Sequence, residues 1–116
     1  MKKLLSLTAC IALMVVLVNA CKKDSENETT VNCSTISTTF SGTVSPLMAT
    51  SCAKSNCHAA GSTNGPGALT NYTQIFNSRD RIRAAVASGL MPEDATFSAQ
   101  QKAIITCWID AGAPNN

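Results

Sequence analysis

The stretch Cys52-Ala53-Lys54-Ser55-Asn56-Cys57-His58 decides how the rest of this sequence is read. Two thiols lie in one short loop, and the single histidine of the chain follows the second directly. Such a run suits covalent attachment of a haem. Each thiol adds to one vinyl group to form a thioether, and the adjacent imidazole is then held under the iron as an axial ligand. The usual spacing places two residues between the cysteines; here Ala53 to Asn56 intervene, giving the wider C-x4-C-H form. A short-loop disulfide between Cys52 and Cys57, with His58 a bystander, fits the same residues in an oxidising compartment. Structural zinc fits them less well, because one histidine and otherwise distant cysteines do not make the usual four-ligand set.

The surrounding composition favours a small domain with something besides its own side chains at its centre. The chain has 116 residues, with 6 cysteines, 4% aromatic residues and 14% charged residues. Ordinary globular chains carry roughly 25% charged residues. The aromatics are Phe40, Tyr72, Phe76, Phe97 and Trp108. One domain is the most this length allows. Below about 80 residues, core burial alone supplies only a few kcal/mol, so a disulfide, metal or cofactor is the usual supplement. The composition argues against a long coiled coil, a multi-pass membrane protein and a large enzyme.

The formal charge of +2 is carried by Lys2 and Lys3; the remaining acidic and basic side chains balance. A neutral domain has no general attraction to nucleic acid. The one cationic cluster is Arg79, Arg81 and Arg83. Their alternate spacing spreads them around a helix, as a solvated face or, alternatively, a docking patch for an acidic partner.

Residues 1–20 read as an export signal. Lys2-Lys3 form a positive start, and Leu4 to Val18 form an apolar run of about fifteen residues, at the upper end of the range for a signal core and short for a spanning helix. The run ends in Val18-Asn19-Ala20-Cys21, which resembles the lipobox of bacterial lipoproteins, Asn19 departing mildly from the usual small or apolar residue. That resemblance implies cleavage before Cys21 and acylation of its thiol and amine. Two or more chains make a stable membrane anchor where one does not. Residues 21–32 would then be the lipidated cysteine and a polar tether without secondary structure. Cys10 is discarded with the signal, which leaves Cys33, Cys52, Cys57 and Cys107 in a domain over 33–116.

That domain reads as all-α, with no strand alternation and no internal repeat. Ser45-Pro46 predicts a helix start, with Ser45 as N-cap and Pro46 at the first helical position. The stretch after His58 is too rich in Gly, Ser and Asn for regular structure. Asn71 caps a short helix over Tyr72 to Phe76, and Ser78 opens another whose apolar face is Ile82, Ala85, Val86 and Gly89, with Gly89 as its stop. Ser98 and Gln101 form a capping box for a last helix, buried through Ile104, Ile105, Trp108, Ile109 and Ala111 and ended by Gly112 and Pro114.

From about Cys33 to Asn116 the chain resembles the small monohaem cytochromes c of class I, especially the Planctomycete-type domain and the forms found in bacterial lipoproteins. The residues that carry the likeness are FSGTVSPL at 40–47, the Cys52-Cys57-His58 motif, GPGALTNY ending the glycine-rich loop, Met91-Pro92 after a helix, and IITCWIDAGAPNN at the carboxyl end. The resemblance implies a cytochrome c-like fold of three to five short helices around one covalent haem c. Cys52 and Cys57 would hold its edge, with His58 and Met91 as axial ligands. A thioether is a soft donor suited to low-spin haem iron, and Pro92 would help aim it. Met48, on the helix before the motif, would pack against the porphyrin edge. A backbone carbonyl at Pro66 would fix the His58 tautomer, and Trp108 would be a buried helix residue or reach the haem propionates. With Cys52 and Cys57 assigned to haem in this way, Cys33 and Cys107 remain and are expected to form a disulfide.

The expected function is then single-electron carriage between redox partner proteins, by a non-enzymatic protein lipid-anchored in the cell envelope on its periplasmic or outer surface. Glu93 and Asp94 are expected only to solvate the loop beside Met91. Two alternatives stand beside this reading: a haem-free, disulfide-stabilised lipoprotein acting as a binding or assembly module, and an open-site haem sensor or peroxidase-like protein.

Overall fold

The computed structural model describes residues 31–116; the expected signal peptide at 1–20, the lipidation site Cys21 and the tether as far as residue 30 lie outside the described residues. The fold begins where Asn32 accepts the Ser34 amide at 3.0 Å and starts a 3₁₀ turn over Cys33–Thr35. Four α-helices follow among the described residues: α1 (Ser45–Ser51), α2 (Tyr72–Asn77), α3 (Arg79–Ser88) and α4 (Ala99–Asp110). No strand occurs among the described residues, in agreement with the all-α reading.

The start of α1 differs from the expectation. Ser45 is not its N-cap, because a π-helical turn over Phe40–Val44 runs directly into it from the extended residue Thr39. The amides of Val44 and Ser45 reach back five residues, to the carbonyls of Thr39 and Phe40. Pro46 has no amide to donate, and its ring crowds the carbonyl four residues back. Widening the preceding turn accommodates both effects without ending the helix.

The other helix signals act where the sequence places them. Asn71 accepts the Gln74 amide at 3.0 Å to open α2, which runs to Asn77. Ser78 precedes α3 but makes no capping bond through its side chain, and Gly89 ends that helix at φ +76°, where a Cβ would be strained. Ser98 and Gln101 exchange both bonds of the capping box at the start of α4.

The main core gathers Phe40, Val44, Met48, Ile75, Ile82, Val86, Phe97, Ile105 and Trp108. Phe40, Tyr72, Phe76 and Trp108 form a chain of aromatic contacts, with Phe40 and Tyr72 edge to face at 5.0 Å between centroids. The carboxyl-terminal segment closes over this cluster. Trp108 Nε1 donates to Pro114 O, Tyr72 OH donates to Ala113 O, and the Phe40 amide donates to Asn116 Oδ1. Within α4, Ala103 and Cys107 are buried, while Ile104 is only half-buried and Ala111 is exposed, which corrects the expected stripe. The reason is a second, smaller cluster: Ile36 packs on Ala103 and Cys107, so α4 has two buried sides rather than one.

Two cross-links fix α4. Arg83 of α3 donates to both carboxylate oxygens of Asp110, at 2.6 and 2.9 Å, and this pairing holds the Asp110 carboxyl below its ordinary range. The expected disulfide Cys33–Cys107 is formed, joining residues 74 positions apart. Closing a loop of that length contributes about 4 kcal/mol on the chain-entropy account. Replacing both cysteines by serine is therefore expected to lower the denaturant midpoint substantially; an unchanged midpoint would contradict the role given to this bond.

Candidate functional site

The Cys52–His58 loop leaves the carboxyl end of α1. Cys52 is the C-cap residue, its amide bonded to Met48 O at 2.9 Å. The four intervening residues are then folded back on themselves. Asn56 adopts φ +68°, a conformation asparagine tolerates better than most residues. Cys57 donates to Lys54 O at 3.1 Å, and His58 donates to Cys52 O at 3.0 Å. The wide spacing is thus closed by backbone bonds that bring His58 back beside the first thiol. Asn64 ties this turn down from outside, its Nδ2 donating to the carbonyls of Asn56 and Cys57.

His58 is buried, 7% exposed, and its Nδ1 lies 2.9 Å from Gly67 O. A carbonyl only accepts, so Nδ1 carries the proton, and in the neutral imidazole Nε2 then has the lone pair. Nε2 has no hydrogen-bond partner among the described residues. The expected acceptor was the carbonyl of Pro66; the structure uses the next one. Gly67 sits at φ +102°, which turns its carbonyl toward the ring, and the sequence could not distinguish two adjacent carbonyls. The Leu69 amide donates to His58 O at 2.9 Å and closes the loop.

Cys52, Cys57, His58 and Met91 come together on one cleft. Its outer part, about 330 Å³, is bordered by all four together with Gly65, Pro92 and Asp94. An adjoining inner part, about 240 Å³, shares Cys52, His58, Gly65 and Met91 and is walled by Met48, Leu69, Ile82 and Val86. Compartments of this size fall in the range of small-molecule and cofactor sites, about 300–1,000 Å³ when joined. Met91 is half-buried and follows the Gly89 stop of α3, its amide bonded to Ala85 O at 3.1 Å. Met48 lines the inner wall. Trp108 does not reach the cleft; its indole N–H is consumed by Pro114 O, so the propionate role falls away in favour of the buried-helix one.

Cys52 and Cys57 are both free thiols, which leaves the short-loop disulfide reading without support here. Burial pushes the Cys52 thiol up to about 11, partly offset by the nearby Lys54 charge. A thiol so raised is protonated at neutral pH and is not an activated nucleophile. Among the described residues no three His, Cys, Asp or Glu side chains gather as a metal-ion site, so the zinc donor set is not assembled. The donor set that is assembled consists of an unpartnered imidazole nitrogen, a thioether and two free thiols. That combination fits a haem held covalently.

Three residues of the site were not expected from the sequence. Gly67 supplies the acceptor for His58. Asp94, expected only to solvate its loop, receives Lys54 Nζ at 2.8 Å, and that bond holds its carboxyl below the ordinary range. Arg81, on α3, borders the inner compartment, while Arg79 lies over the Phe76 ring and Arg83 pairs with Asp110, so the three arginines have separate surroundings. Comparison of the chain with family models, curated proteins and solved structures gives no match.

The two thiols are expected to differ in reactivity in haem-free polypeptide. Half-buried Cys57 is alkylated first at neutral pH, and the Cys52 rate climbs with pH until about 11, as the buried thiol ionises. Equal rates for both at neutral pH, read by peptide mass mapping, would contradict the burial assigned to Cys52.

Proposed function

We propose that this chain is a membrane-tethered monohaem c-type cytochrome with a cytochrome c-like fold, carrying single electrons between redox partner proteins. The observation that carries the proposal is the convergence of Cys52, Cys57, His58 and Met91 on one cleft. These residues come from two separate parts of the chain, the 52–58 loop and the loop of Met91, and their meeting is what a covalent, doubly ligated haem requires.

When bound, haem c supplies a one-electron ferric–ferrous couple. The chain's own residues set the conditions for it. The thiols of Cys52 and Cys57 provide two covalent attachments at adjacent points of the loop. His58 offers Nε2 with its ring direction fixed by Gly67 O, and Met91 offers a soft sulfur donor. Met48, Leu69, Ile82 and Val86 keep water from the inner wall. With His58 and Met91 both available to hold the iron, the protein would leave no position open to an exogenous substrate, which would favour carriage over catalysis. The lipid on Cys21 would hold the domain at a membrane of the cell envelope, with residues 22–32 as tether.

The test is the optical spectrum of protein exported through a cytochrome c maturation pathway. A pyridine haemochrome spectrum of c type, a low-spin native form, and a weak far-red methionine-to-iron band abolished by Met91→Ala are the expected results. Colourless protein would favour the haem-free module. A high-spin native form that binds carbon monoxide rapidly would favour the open-site sensor.

A further inference from the structure

The wall of the cleft that carries the thiols and the wall that carries Met91 belong to different loops. Among the described residues, one side-chain bond joins those two loops directly: Lys54 Nζ donates to Asp94 Oδ2 at 2.8 Å. Lys54 is one of the four residues between the cysteines, and Asp94 lies three residues beyond Met91 on the outer wall of the cleft. The Met91 loop has few other fixtures. Its amide bond to Ala85 O ties it to α3, and Pro92 and Phe97 are buried, but among the described residues no hydrogen bond apart from that of Lys54 to Asp94 ties it to the attachment loop.

We propose that Lys54 and Asp94 form a strap across the mouth of the cleft that holds the Met91 thioether in its ligating position. This rests on the cytochrome reading above and makes both groups positioning residues rather than ligands. The widened cysteine spacing then has a use, since it supplies the cation of the strap. Both side chains are partly exposed, at 38% and 53%, so the strap is a modest restraint and is screened by salt. Its loss is expected to raise the rate at which an external ligand displaces Met91 by about two- to fivefold, the range open to an exposed ion pair.

The experiment compares wild type, Asp94→Asn and the exchanged pair Lys54→Asp with Asp94→Lys. Imidazole displacement of the methionine in ferric protein is followed by stopped flow at low and high salt. Hydrogen exchange of the peptide covering residues 90–97, which needs no haem, is measured on the same samples. The proposal expects faster displacement and faster exchange in Asp94→Asn at low salt, wild type approaching it at high salt, and restoration in the exchanged pair. Equal rates in all three proteins would overturn it. Faster hydrogen exchange with unchanged imidazole kinetics would overturn the positioning role while leaving the haem assignment standing. Protein whose spectrum shows no haem would overturn the cytochrome reading and the positioning role with it.

Discussion

One hydrogen bond, from His58 Nδ1–H to the carbonyl of Gly67, orients the ring on which the candidate site is built. Because a carbonyl has no proton to give, the bond fixes the tautomer as well as the ring direction and leaves Nε2 as a lone-pair donor. The segment between them acts as a sling. Leu69 bonds back to His58 O, Asn64 bonds back to the attachment turn, and Gly67 takes a backbone conformation that a side chain would strain. Without this sling the imidazole would be a free rotor beside two thiols.

The rest of the domain is divided between a filled part and a part left open. Phe40, Tyr72, Phe76 and Trp108 pack together under the carboxyl-terminal segment, and Cys33–Cys107 ties the beginning of the domain to α4. None of the aromatic residues borders the cleft. The scarcity of large apolar side chains is therefore unevenly distributed. What there is holds α1, α3 and α4 in place, and the space between the end of α1, α3 and the Met91 loop is lined mainly by aliphatic residues and possible ligands. A cofactor seated there would complete a core that the sequence itself leaves short, and the surrounding cross-links would limit how far the walls move when the charge at its centre changes.

Much of this was legible in the sequence where the signal is local. Asn71, Gly89 and the Ser98–Gln101 box act within three or four residues, so their consequences follow from residue type and spacing alone. The start of α1 was misread because Ser45-Pro46 is a good local N-terminus, yet Phe40 is recruited into the helix by contacts with Trp108 and Asn116, far along the chain. The same limit applies to α4: its second buried side is covered by Ile36, a residue far away in sequence that follows the disulfide-bonded Cys33. In the candidate site, motif and order pointed to the four residues that share the cleft, whereas Gly67 as acceptor and Lys54 as partner of Asp94 depend on loop paths that residue spacing does not determine.

The central claim is covalent: that Cys52 and Cys57 each form a thioether to one porphyrin whose iron His58 ligates. Tandem mass spectrometry of the proteolytic peptide spanning residues 52–58, from denatured exported protein, tests it most directly. The account predicts one haem retained on that peptide and bonded through both sulfurs. The same peptide recovered with two free thiols, or with a disulfide between them, would contradict it.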